Sequence, residues 1–183
     1  MKAIAIIQDE HRAITAVIEG LRHVLGEARG GGPAPDLKLL AAMFAYIERF
    51  PERLHHPKED DYLFARLRVR RPDAAPLLDG LHREHEVGRE RFADLKALYQ
   101  RYAERPDALV PLAEAVERYS QFHWKHMRRE EEEVLPLAAE ALTAEDWQAI
   151  DAAFASNDDP IVGVPARKEF RELFRRLAAM WPG

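Results

Sequence analysis

Apolar residues along this chain recur at steps of three and four, and on each of four such stripes a histidine stands where the next apolar residue belongs. That period describes helices with one face turned inward. No stretch shows the sustained period-two alternation and β-branched enrichment of a strand, so the expected fold class is all-α. The first predicted helix, about 3 to 25, carries Ile4, Ile7, Ile14, Ile18, Leu21 and Leu25, with His11 filling the gap in the stripe. The second, about 37 to 69, runs Leu40, Phe44, Ile47, Pro51, then His55, Glu59 and Tyr62 or Leu63. The third, about 76 to 103, gives Leu78, Leu81, His85, Gly88, Phe92, Leu95 and Tyr99. The fourth, about 107 to 141, gives Leu112, Val116, Tyr119, His123, His126, Glu130, Val134 and Leu137.

The breaks between these stripes are short. Gly30 to Pro35 cannot continue a helix and Asp36 can cap the next; further breaks fall at Arg70 to Pro76 and Glu104 to Asp107. Long helices with short connections favour an up-down-up-down four-helix bundle, expected over residues 1–142. Residues 143–183 read as a C-terminal extension of one or two extra helices packed on that bundle. Thr143 and Asp146 form a capping-box pattern opening a helix through Ala155. A loop at Asn157 to Pro160 and a last amphipathic helix from Ala166 to Met180 follow, with Trp147 and Trp181 as packing anchors.

Ionisable groups on a buried seam cost several kcal/mol each unless paired or bound to metal. One such imidazole is usually a hydrogen-bonded core residue; four on four helices need another reason. His55 and Glu59, and again His126 and Glu130, are four apart, so each pair projects from one helix face about one turn apart. With His11 and His85 they present four nitrogens and up to four carboxylate oxygens around the bundle axis. That donor set suits two first-row metal ions with a position left for an exogenous ligand. The chain has 8 His and no Cys, which removes thiolate zinc sites, iron–sulfur clusters, thiol nucleophiles and disulfides. Iron is the expected metal, with manganese or zinc as alternatives.

Lys+Arg 27 against Asp+Glu 32 gives a net charge of -5 with no basic stripe, which argues against nucleic acid as a partner. Met1 to Asp9 has neither the pattern of a secretory signal nor that of an anchor, and no uncharged apolar run reaches a membrane span. The expected location is cytoplasmic and the expected state a monomer or homodimer.

His11, HHPKED at His55 to Asp60, REH at Arg83 to His85, and HMRREEEEVLP from His126 to Pro136 together resemble the hemerythrin-like, or HHE cation-binding, domain. The resemblance spans about residues 4 to 142. It implies a four-helix bundle around a non-haem diiron centre that binds dioxygen or, in some members, nitric oxide. Carried over, the metal ligands are His11, His55, Glu59, His85, His126 and Glu130, with Glu59 and Glu130 as bridges. Oxygen-carrying hemerythrins place two histidines four apart on the third helix and have five in all; here His82 and His85 are three apart. With His85 alone from that helix the chain supplies four, which leaves more open coordination and favours turnover over reversible carriage.

His56 repeats the four-residue spacing with Asp60 in a neighbouring register, but Leu40, Phe44 and Ile47 lead to His55, so His56 is expected outside the ligand set. His123 is expected to orient a ligand or to substitute for one. His82 stays open, and His23 is expected on the surface. Pro57 and Pro136 are expected to kink their helices. Tyr62 is expected in the core, and of the run Glu130 to Glu133 only Glu130 is expected to face inward. An apolar wall from Ile7, Ile14, Leu81 and Phe92 is expected around the open position.

The leading function is binding, storage or sensing of a small ligand by a diiron protein. A peroxidase-like, oxidase-like or stress-repair enzyme on the same scaffold is the alternative, and a metal-free helical interaction protein the second. A ferritin-like oxidase needs Glu-x-x-His on two helices, and only Glu52-x-x-His55 fits. A helical phosphohydrolase that uses an adjacent His-Asp pair is disfavoured by the absence of that dipeptide.

Overall fold

A computed structural model describes residues 1–156 together with Leu173, Arg175 and Arg176. The expected loop at 157–160, most of the expected helix at 166–180 and Trp181 lie outside the described residues. Among the described residues there is no strand.

Four long rods make the bundle. The first is α1, Lys2–Arg29; it ends at Gly30 to Gly32, where Gly31 takes φ +91°, a conformation that favours a residue without Cβ. The second rod begins with α2, Leu37–Arg49, capped as expected by Asp36, whose side chain accepts from the Lys38 N–H at 2.8 Å. It continues through a π-helical stretch Pro51–His55, a short α turn α3, His56–Lys58, a second π stretch Glu59–Phe64, and α4, Ala65–Arg70. The third rod is α5, Ala75–Glu104. The fourth is α6, Leu109–Arg129, a π stretch Glu130–Val134 and α7, Leu135–Ala141.

The expected kinks at Pro57 and Pro136 are thus realised as widened turns. Pro57 follows the first π stretch and Pro136 the last. A proline ring collides in α geometry with the carbonyl one turn back; a turn closed by i→i−5 bonds, such as His56 N–H to Pro51 O and Leu135 N–H to Glu130 O, moves that carbonyl away.

Two apolar layers lie at different heights. One joins Ala3 and Ile7 at the start of α1, Leu63, Phe64 and Leu67 late in the second rod, Leu78 and Leu81 at the start of α5, and Val134, Leu135 and Ala138 late in the fourth. Starts of the odd rods meeting ends of the even rods define the up-down-up-down order. The other layer joins Ile14 to Leu25, Leu39 to Phe50, Phe92 to Tyr102 and Leu112 to Tyr119. Leu173 packs into this second layer, and Arg176 reaches Asp36 with Nη1 to Oδ2 at 2.6 Å. Between the layers lies a level of buried polar residues.

The helix expected through Ala155 is α8, Ala144–Ala155, opened by the Thr143–Asp146 capping box. Its Trp147, Ile150 and Phe154 are buried in the first layer against Ala3 and Ile7. Lys58 ties its end by donating to Ala153 O at 2.8 Å and Ser156 Oγ at 2.9 Å. Tyr62 departs from expectation: Leu63 takes the core position and Tyr62 is exposed, with the Arg66 guanidinium over its ring.

Candidate metal centre

At the middle of the polar level stand the six residues expected as metal ligands, each fully or nearly fully buried: His11, His55, Glu59, His85, His126 and Glu130. The four imidazoles point their Nε2 atoms at the two carboxylates. His11 Nε2 lies 3.6 Å from Glu59 Oε1 and 3.4 Å from Glu130 Oε2; His55 Nε2 lies 3.3 Å from Glu59 Oε1. Across the axis, His85 Nε2 lies 3.5 Å from Glu59 Oε2 and 3.4 Å from Glu130 Oε1, and His126 Nε2 lies 3.2 Å from Glu130 Oε1. Each glutamate therefore turns one oxygen toward the His11 and His55 side and the other toward the His85 and His126 side. His11, His55 and Glu59 converge closely enough to share an ion, as do Glu59, His85, His126 and Glu130.

Each imidazole is held from behind. Nδ1 of His11 meets Glu131 at 2.9 Å, that of His55 meets Glu10 at 2.8 Å, that of His85 meets Asp60 at 3.1 Å and that of His126 meets Glu84 at 2.9 Å. A carboxylate on Nδ1 fixes the ring and leaves Nε2 as the free donor, the arrangement found behind metal-bound histidines. None of these four carboxylates was selected by sequence reasoning. A signal was present: each is the immediate neighbour of one of the six, at Glu10, Asp60, Glu84 and Glu131. Glu131, expected on a solvated face, is exposed yet reaches His11.

Without an ion the centre leaves polar atoms stranded. All four Nε2 atoms and all four oxygens of Glu59 and Glu130 are buried without a hydrogen-bond partner. Their nearest partners are one another, at the 3.2–3.6 Å of the ion pairs above, so the eight atoms are gathered around one point with no proper hydrogen bond to any other group. Hard, borderline nitrogen and oxygen donors in two facing sets fit two first-row cations.

Electrostatics in the metal-free centre follow from this crowding. Burial alone would push His11 and His85 down, but the carboxylates around them hold both well above the ordinary imidazole value. The same contest leaves His126 raised to about 8. Burial and mutual repulsion would raise Glu59 and Glu130, and the imidazoles reverse this, holding both below the usual carboxylate range.

The other histidines sort differently. His82 is half exposed, its Nδ1 3.0 Å from Asp60 Oδ2, so it flanks the carboxylate behind His85 and does not enter the centre. His23 is on the surface as expected. His56, expected outside the site, is buried within it, because the extra residue of the Pro51–His55 π stretch turns both His55 and His56 inward. Burial and the neighbouring imidazoles hold it well below the ordinary value, hence neutral. His123 is buried with both ring nitrogens unpartnered, tilted against the Tyr119 ring with centroids 4.3 Å apart, and also held neutral by burial.

The expected apolar wall is only part of the surroundings. Ile7, Ile14, Leu81 and Phe92 are buried, but beside them stand Glu52, raised to about 7 by burial, and the Tyr119 hydroxyl that donates to it at 3.3 Å. From α8, Phe154 sets its ring edge against His55 at 6.4 Å. A groove of about 700 Å³ between α1 and α6 leads to His11 and Glu131, with exposed Trp124 and Arg128 on its sides and the buried Met127 along its wall.

Residues 2–138 match the Hemerythrin HHE cation binding domain. No curated protein and no solved structure matches the chain. Among the described residues no helix is long and apolar enough to cross a membrane. Four helices converging their imidazoles on two buried glutamates is the arrangement such a cation-binding domain needs, and with three quarters of its length matched the chain belongs to the hemerythrin HHE family.

Proposed function

We propose that this chain is a non-haem diiron protein that binds, stores or senses a small ligand such as dioxygen or nitric oxide. The observation that carries the reading is the set of eight stranded buried atoms, four imidazole nitrogens and four carboxylate oxygens, divided evenly about the axis. His11 and His55 would hold one ion, His85 and His126 the other, with Glu59 and Glu130 between them. Two bound irons would supply an open coordination position and redox capacity. The protein's own residues do the rest. Glu10, Asp60, Glu84 and Glu131 orient the rings and make them stronger donors to a bound cation. The groove ending at His11 and Glu131 gives a small molecule its approach.

A peroxidase-like or oxidase-like activity is supported by one further observation. Glu52, Tyr119 and His123 place proton-bearing groups beside the centre, where a storage protein is better served by hydrocarbon. Metal analysis with absorption spectra under anaerobic and aerobic conditions tests both. Two irons per chain and a stable band in air support binding; rapid decay with consumption of an added reductant supports turnover. His126→Ala or Glu59→Ala should abolish stoichiometric iron binding while far-ultraviolet helicity persists, and retention of two irons in either variant refutes the ligand assignment.

A further inference from the structure

Four imidazoles in this protein share one arrangement: a carboxylate behind Nδ1, full burial, and a nitrogen turned to the centre. His56 shares the burial and the convergence but not the contact behind the ring: its Nδ1 lies 3.9 Å from Glu52 Oε2, beyond hydrogen-bond reach, and is left without a partner, while Glu52 accepts from the Tyr119 hydroxyl. One of its ring nitrogens lies within 4.8 Å of ligand atoms of both His85 and His126. His11 and His55, which face one carboxylate oxygen together, have centroids 5.0 Å apart and meet edge-on at 72°, as do His85 and His126 at 4.7 Å and 71°; His56 meets His126 edge-on at 5.8 Å and 86° and lies 4.5 Å from His85 with the two rings stacked. His123 does not meet these criteria: it belongs to no convergent group and its ring lies 6.2 Å from His126.

We propose that His56 is a further metal ligand, so that the ion beside His85 and His126 takes three imidazoles and the ion beside His11 and His55 takes two. This rests on the dinuclear reading above. The two ions become unequal. The one with fewer nitrogens keeps the open position, and it lies on the side where the groove between α1 and α6 reaches His11.

The test uses the whole chain loaded anaerobically with ⁵⁷Fe(II). The wild-type Mössbauer spectrum should show two quadrupole doublets of equal area with different parameters. In His56→Gln one doublet should change and the other persist. Loss of an outer partner weakens a site about 10–100-fold, so loss of a direct ligand should weaken one ion by about 100-fold or more. His123→Leu should leave both ions within about threefold of wild type. Both doublets and both affinities unchanged in His56→Gln overturn the proposal. Should that variant fail to fold, the wild-type protein decides: proton NMR of the iron-loaded form should show five hyperfine-shifted, exchangeable ring N–H resonances, and four would overturn it. A wild-type chain that takes up no iron refutes the dinuclear reading itself, a result distinct from two irons with four imidazoles.

Discussion

Removing the carboxylates behind the imidazoles should weaken metal binding in the order of their burial. All four contacts are of similar length, 2.8 to 3.1 Å. They differ in access to water: the Glu10 side chain is 2 % exposed, Asp60 15 %, Glu84 29 % and Glu131 39 %. At Glu10→Ala no solvent replaces the lost acceptor, so the His55 Nδ1–H is left unsatisfied at about 1–3 kcal/mol and the ring is free to turn. At Glu131→Ala, water from the groove takes the place of the carboxylate. Outer partners are worth about 10–100-fold in affinity; Glu10→Ala belongs near the upper end, about 2.7 kcal/mol, and Glu131→Ala at or below the lower, about 1.4 kcal/mol. Glu10→Gln should recover most of the loss, since its amide oxygen still accepts from Nδ1–H. Anaerobic competition against a chromogenic chelator reads the five variants against wild type. Equal losses at the four positions, or a larger loss at Glu131 than at Glu10, would refute the reasoning that burial decides.

Three further outcomes are expected. Iron loading at pH 7 should release about three protons per chain, because His11, His85 and His126 are held charged without metal and must be neutral to bind it; calorimetry in buffers of different ionisation heat measures this, and no release refutes it. The metal-free protein should lose stability as pH rises from 6 to 8.5. His126 at about 8 against 6.5 unfolded contributes about 2 kcal/mol that is complete below 6.5 and lost through 8, and Glu52, at about 7 when folded, acts in the same direction; a flat or rising melting temperature contradicts this. Ile150→Ala, at a fully buried position where α8 meets the bundle, should cost about 2–5 kcal/mol in denaturant unfolding while metal content stays at the wild-type value. A cost below about 1 kcal/mol would show that α8 contributes little to the core.

Much of this was legible in the sequence because a period of 3.6 carries direction. His11, His55, His85 and His126 could be placed inward from the stripes that contain them, and Asp36 and Thr143 marked helix starts by the chemistry of their side chains. What escaped was register after a widened turn. A stripe extrapolated from Leu40, Phe44 and Ile47 through α geometry points at His55 and misses His56, since nothing short of the folded backbone shows the extra residue in Pro51–His55. Of the two candidates after Glu59, Leu63 takes the core position, four residues on from Glu59, and Tyr62 is exposed. The partners behind the imidazoles escaped for a different reason. Each serves a ring on another helix, and one sequence holds no direct record of which helices adjoin.

Those partners nevertheless obey a rule that the bundle imposes. Glu10 on the first rod holds His55 on the second; Asp60 on the second holds His85 on the third; Glu84 on the third holds His126 on the fourth; Glu131 on the fourth holds His11 on the first. The circuit closes. On the first and third rods the carboxylate stands one residue before the inward histidine, and on the second and fourth one residue after the inward glutamate. A helix turns about 100° per residue, so a neighbour of an inward residue projects sideways toward an adjoining helix. Viewed down the bundle axis, one step back on an ascending helix and one step forward on a descending helix rotate in the same sense. Alternation of before and after is therefore what antiparallel order requires if every rod is to reach the next in one direction. Each contact fixes the height of one rod against its neighbour, and four in a ring fix all of them, so an ion bound at Nε2 of any one histidine is coupled through Nδ1 to the placement of the next helix.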